Sequence, residues 1–147
     1  METTTYSFLD TSCVIAHPLL PSAAIVITGE GAGKAVVSMK EDKSVIDVSA
    51  DGSPMVSKIA GNVGSISIDV QQTSRIHKEL LALYNKVNGA DTSMWANAAI
   101  TLRNITDFTG HIATGVSFQK VPDKGYDKQG AMITWVFLCA DIQHLVS

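Results

Sequence analysis

Between residues 65 and 88 the spacing of apolar residues changes from every second position to every third or fourth. Ser65-Ile66-Ser67-Ile68-Asp69-Val70-Gln71 alternates strictly, which is the pattern of a strand with one face against a core. Ile76, Leu80, Leu83, Tyr84 and Val87 then recur at helical spacing and make one apolar stripe. Arg75, Lys78, Ala82, Asn85 and Lys86 fall on the other side. The spacing predicts one helix over 73–88, with Thr73 or Ser74 as its cap and a left-handed stop at Asn88-Gly89.

Elsewhere the chain reads as strands. Segments 11–16 and 23–28 are separated by the rigid Pro18-Leu19-Leu20-Pro21 bend, and the glycine-rich turn 29–33 leads into a strand at 35–39. Strands at 44–50 and 55–59 flank the turn Asp51-Gly52-Ser53-Pro54. After the helix, alternation marks strands at 98–103 and 112–119, and a turn spans 122–130. Segment 132–140 is apolar on both faces, as expected of a central strand or one at a subunit seam. The predicted fold class is therefore mainly β (α+β), a barrel or sandwich of antiparallel strands with one flanking α-helix. The 147 residues form a single predicted domain, from which a hairpin at 40–59 projects because its charged base and turn are hard to bury.

Composition sharpens this picture. The chain is 46% hydrophobic and only 17% charged, with a mean hydropathy of +0.19. Such a chain has either a large core or surface hidden in subunit contacts, and the second is the expectation here. A net charge of −3 and eleven scattered Lys and Arg residues argue against a protein that grips nucleic acid through its phosphates. The apolar run 13–27 is interrupted by His17, Pro18 and Pro21 and falls short of the roughly 20 residues a bilayer span needs. The opening Met1-Glu2-Thr3-Thr4-Thr5 lacks the positive charge of a secretory signal.

Candidate chemistry is sparse. Gly33-Lys34 lacks the earlier glycine and the following Ser or Thr of a phosphate loop, and Lys34 stands where a dinucleotide fingerprint needs its third glycine. His17, His77, His111 and His144 are isolated, and Cys13 and Cys139 have no metal-ligand spacing. No nucleophile elbow occurs. Glu41-Asp42 would point to opposite faces if strand-bound, so a solvated or salt-bridging loop fits better than a catalytic pair. Trp95, Phe118, Trp135 and Phe137 sit in apolar strands or connections and read as core. No catalytic, cofactor-binding or metal residue is expected.

Several short landmarks nevertheless stand in a telling order. They are Tyr6-Ser7-Phe8-Leu9-Asp10, Glu41-Asp42-Lys43, Ala50-Asp51-Gly52-Ser53, Ala60-Gly61-x-x-Gly64 before the alternating strand, the single helix, and Gly130-x-x-x-x-Trp135-Val136-Phe137. In this order they resemble the tail tube proteins of contractile-tailed bacteriophages, whose architecture is related to the tubes of pyocins and type VI secretion. The resemblance covers nearly the whole chain, although the segment 13–24 has no landmark to match.

It implies a virion structural protein that forms hexameric rings stacked around a channel for DNA ejection. The implied partners are further copies of itself and the tail sheath, baseplate and tail terminator proteins. DNA would pass without specific binding, no membrane would be engaged, and the protein would reside in the virion tail after assembly in the host cytoplasm. By the same resemblance, Lys40, Glu41, Asp42, Lys43, Asp51, Gly52, Ser53 and Pro54 are candidates for contact with the adjacent ring, the alternative being an ordinary surface loop. Ser65, Ser67, Asp69 and Gln71 are candidates for the lumen face, though alternation alone equally allows outside solvent or a sheath. The competing function is a small-molecule-binding β-barrel, or an enzyme whose site carries no motif.

Overall fold

A computed structural model describes residues 3–20, 24–29, 32–106 and 108–146. The elements run in the order β1 (Thr11–Ala16), β2 (Ile25–Ile27), β3 (Ala32–Met39), β4 (Ser44–Val48), β5 (Pro54–Lys58), β6 (Gly64–Gln71), α1 (Arg75–Asn88), β7 (Ala98–Asn104), β8 (Thr109–Phe118) and β9 (Met132–Val146). Single 3-10 turns at Phe8–Asp10 and Thr92–Met94 lead into β1 and β7. Seven strands make one antiparallel sheet in the order β2-β1-β7-β8-β9-β6-β3, and β4 pairs with β5 alone. The sheet curls into a half-barrel and α1 lies on its inner face, so the expected mainly β fold with one helix holds. Pro21, Ala23, Glu30 and Gly31, which belonged to the predicted bend, second strand and glycine turn, lie outside the described residues.

The helix forms where its stripe predicts. Ser74 caps it by accepting from the His77 N–H at 3.2 Å. Ile76, Leu80, Leu83 and Val87 are buried, and each fully buried side chain of this kind stabilises the fold by about 1.5–3 kcal/mol. The expected left-handed stop is absent: Gly89 is right-handed at φ −87° and ψ −5°, and its N–H returns to the Asn85 carbonyl at 3.1 Å. Helical hydrogen bonding is simply extended by one more residue, so glycine is not needed there for its handedness.

β9 is the spine of the sheet. It pairs with β6 from Met132 to Cys139 and with β8 from Phe137 to Val146, reaching well past the predicted end at residue 140. Ile133, Trp135, Phe137, Cys139 and Ile142 are buried. On the other face Val136 and Leu138 are half-buried and Met132 is exposed. The strand is central within the sheet, and among the described residues its outer side is only partly covered.

Inward alternation breaks at one level on two strands, because Ala113 and Val116 are both buried on β8, as are Cys139 and Ile142 on β9. Gly115, between them, has φ +62°, and a Cβ there would sit 2.8 Å from that of Ala140. Against β7 the extra residue is on β8, because Ala98 pairs with Val116 and Ile100 with Ala113. This bulge and the left-handed glycine bend the sheet around α1.

Aromatic rings fill the inside of that bend. Phe118 meets Tyr84, Phe137 and Trp135 at ring-centre distances of 5.5, 5.1 and 5.6 Å. His17 ties β1 to the 92–94 turn. The Leu19 N–H donates to its Nδ1 at 3.0 Å, so Nε2 carries the proton and donates to the Met94 carbonyl at 2.9 Å.

The buried Trp135 Nε1–H donates to Nδ1 of buried His77 at 3.1 Å, fastening helix to sheet. That acceptor exists only while His77 is neutral. Burial, with a smaller push from Lys124, lowers the His77 pKa, and burial with the neighbouring His144 does the same for His111. The neutral form is therefore favoured by folding. This stability is fully present above the unfolded value of about 6.5 and is lost as pH falls through the lower folded value. Thermal unfolding followed by tryptophan fluorescence should show Tm falling as pH is taken from about 7.5 to 5. The dependence should be shallower in His77→Gln, with His111 supplying part of the remainder. An unchanged slope in that variant would show that His77 does not couple to folding.

Candidate functional site: the assembly surfaces

The β4–β5 hairpin stands apart from the sheet, and all ten of its strand residues are exposed. Pairing of Ile46 with Val56 and of Val48 with Pro54 puts these four apolar side chains on one face. Val45, Asp47, Met55 and Ser57 occupy the other. Ile46, Val48 and Val56 are 62%, 67% and 63% exposed, which is unusual for three adjoining β-branched residues in a soluble subunit. Sequence reasoning singled out the charged base and the turn but missed this stripe. The consecutive Val45-Ile46 was its available signal, since a strand with apolar residues on both faces needs cover from somewhere.

The candidate residues at the base and tip hold the hairpin's shape. Lys43 Nζ donates to the Gly61 carbonyl, to Asn62 Oδ1 at 2.5 Å and to the Ile59 carbonyl at 3.4 Å, which uses all three ammonium donors. The Glu41 carboxylate lies against Gly61, where a Cβ would overlap it. Lys40 contributes its backbone N–H to the Val63 carbonyl at 3.0 Å, while the side chains of Lys40 and Asp42 are exposed. At the tip, Gly52 has φ +89°, and Asp51 accepts from the Ser49 hydroxyl at 2.5 Å and the Ser53 N–H at 3.0 Å. Those bonds, the Ser49 hydroxyl foremost, pull the Asp51 pKa down to about 2 and keep it charged. Pro54 belongs to β5 rather than to the turn.

Ser65, Ser67, Asp69 and Gln71 share the outer face of β6, the first three half-buried and Gln71 exposed. Register adds neighbours that no single strand's alternation reveals. Ser65 lies between Ser38 and Leu138, Ser67 between Val36 and Val136, and Asp69 between Lys34 and Thr134. Thr134 Oγ1 donates to Asp69 Oδ1 at 2.6 Å. The face is thus polar along β6 and mixed along β3 and β9. β3 is an edge strand of the sheet, and no second strand flanks it among the described residues.

Burial raises the thiols of Cys13 and Cys139 to about 12 and about 11, so neither presents a thiolate. Among the described residues no three His, Cys, Asp or Glu side chains cluster as metal ligands. His111 and His144 meet across β8 and β9, their Nδ1 atoms 2.8 Å apart. A groove of about 400 Å³ is lined by Thr4, Thr5, Tyr6, Asn104 and Thr106, and the Thr106 hydroxyl donates to the Asp10 carboxylate. No described helix is long and apolar enough to cross a membrane.

Residues 3–147 match the family described as Bacteriophage PhiTE tail tube protein, and the chain belongs to that family. It is a structural protein of the phage tail. No curated protein matches its sequence. Among solved structures the fold is similar to a chain of the anti-feeding prophage baseplate, determined with 6-fold symmetry. The TM-score is 0.65 at 14% identity, covering 99% of this chain and 98% of that one. A chain from the tail of an empty GTA particle, refined with C6 symmetry, gives 0.57 at 14% identity over 97% and 99%. One from the sheath-tube complex of the extracellular contractile injection system PVC gives 0.55 at 6% identity over 92% and 88%.

Proposed function

We propose that this chain is the repeating subunit of a tail tube, six copies closing each ring and rings stacking around a channel through which DNA leaves the particle. The observation that carries the reading is the β4–β5 hairpin, an apolar element left exposed among the described residues. Membership of the tail tube family and the six-fold symmetry of the similar structures support it. A heterologous contact that closes gives a ring, and a second one along the axis gives a tube. The open edge of β3 and the partly covered outer side of β9 are surfaces on which such contacts remove exposed sheet from water. The role is structural rather than enzymatic. Sheath, baseplate and terminator proteins are the partners to which the tube connects in the virion tail, following assembly in the host cytoplasm. The similar chains come from a baseplate, a tube-terminating cap and a sheath-tube complex.

The hairpin, with Lys40, Glu41, Asp42 and Lys43 at its base, Asp51, Gly52 and Ser53 at its turn and Pro54 opening its second strand, reaches the adjacent ring. Removing residues 48–56 should leave soluble, folded rings that no longer grow into tubes under the electron microscope. Tubes of normal length from that variant would make the hairpin an ordinary surface loop.

Ser65, Ser67, Asp69 and Gln71 face the channel in this reading. Lys34 opposite Asp69 makes the charge at that level close to balanced, so DNA passes without being held. Asp69→Lys replaces the balanced pair by two cations per subunit. Tubes should still form, and DNA ejection from assembled particles should slow, more so at low salt. Unchanged ejection kinetics would place this face away from the channel.

A further inference from the structure

Two elements project from this fold, and they leave it at opposite ends of the same strands. The hairpin segment 40–63 departs where Met39 of β3 pairs with Gly64 of β6. The connection 119–131 departs from the other end, where Gln71 of β6 pairs with Met132 of β9. Seven steps along β6, from Gly64 to Gln71, separate those levels, about 23 Å at about 3.3 Å per residue.

The 119–131 connection is held in place. The Gln72 side-chain amide donates to the Gly125 carbonyl at 2.7 Å and accepts from the Ala131 N–H at 3.4 Å. Its backbone N–H donates to the Ala131 carbonyl at 3.1 Å. The pinned loop presents Tyr126, 85% exposed, with Lys124 Nζ 5.2 Å from its ring centre, beside the exposed Val121. Lys120, Lys124 and Lys128 outnumber Asp123 and Asp127, and the Asp127 carboxylate is turned onto the Lys128 N–H at 2.8 Å. The outer part of the hairpin is the converse. Asp51 stands at its tip and Asp47 shares a face with Val45 and Met55, opposite to that of Ile46, Val48, Pro54 and Val56, while the cation Lys58 pairs with Ser44 at the start of the hairpin.

We infer that the 119–131 loop is the receptor for the β4–β5 hairpin of a second copy of this chain, its lysines facing Asp47 and Asp51 and its Tyr126 and Val121 lying against the exposed Val45 and Met55 on the Asp47 face. This deepens the proposed function and rests on its reading of the hairpin as an inter-ring contact. Donor and receptor lie at opposite ends, so each subunit uses both and the contact propagates head to tail without closing. Opposite charge sets the register, while Val45, Met55 and the tyrosine supply buried area.

The test uses two charge-altered full-length variants. In the first, Asp47→Lys with Asp51→Asn makes the hairpin basic while keeping a side-chain oxygen for the tip. In the second, Lys120→Glu, Lys124→Glu and Lys128→Glu make the loop acidic. At low salt each alone should form rings but need about tenfold more protein to grow tubes, because like charges then meet. Mixing the two should restore growth, since each variant's hairpin then meets the other's loop with opposite charge. One chain carrying all five substitutions should also regain it. If neither the mixture nor the combined chain grows better than the single variants, the hairpin docks elsewhere and the inference is overturned. Loss of the hairpin requirement itself, read from the 48–56 deletion, would instead overturn the underlying function, so the two failures are distinguishable.

Discussion

The contact between α1 and the inner face of the curled sheet organises this molecule. Ile76, Leu80, Leu83 and Val87 supply the helix side, and the inward residues of β6 and β9 supply the sheet side. The hydrogen bond from Trp135 to His77 fixes the helix over the centre. One helix gives the sheet one covered face. Among the described residues its outer face, its edge strand β3 and the hairpin beyond it have no second layer, and from this one-sidedness the assembly surfaces follow.

The curl matters as much as the contact. A long sheet wraps a single helix only if it bends, and the bend is placed at Gly115 and Ala140, where β8 bulges against β7. β9 continues through the corner and pairs on both sides of it. One strand thereby joins the part of the sheet that carries Asp69 to the part anchored by β1 and β7. The ends of that first part launch the hairpin in one direction and the 119–131 loop in the other, giving the subunit a polarity that a stacking protein needs.

Much of this was legible in the sequence because it lies in local period. The alternation of Ser65 through Gln71 and the 76-80-83-87 stripe are one-dimensional signals, and the structure reproduces both. Strand partnership is not one-dimensional. Lys34 and Thr134 stand far from Asp69 in the chain and meet it only through register, so the balanced charge and mixed polarity of the outer face stayed hidden. The corner was likewise invisible, since a glycine in a strand does not announce a positive φ. At Gly89 the sequence suggested a left-handed stop and the helix continued in the right-handed region instead. The apolar character of Val45, Ile46, Val48, Met55 and Val56 was plain to read, but not that all five would be exposed.

The central claim is that surface left uncovered in one subunit is completed by other copies. Backbone amide exchange, followed from dilute subunits to the concentrated protein, tests it most directly. Exchange at 44–58 and along the open edge of β3 should slow several-fold or more as assemblies form, while α1 and the paired core of β9 remain as protected as before. If residues 44–58 exchange as freely at the highest concentration as at the lowest, the hairpin meets no neighbour and the account is contradicted.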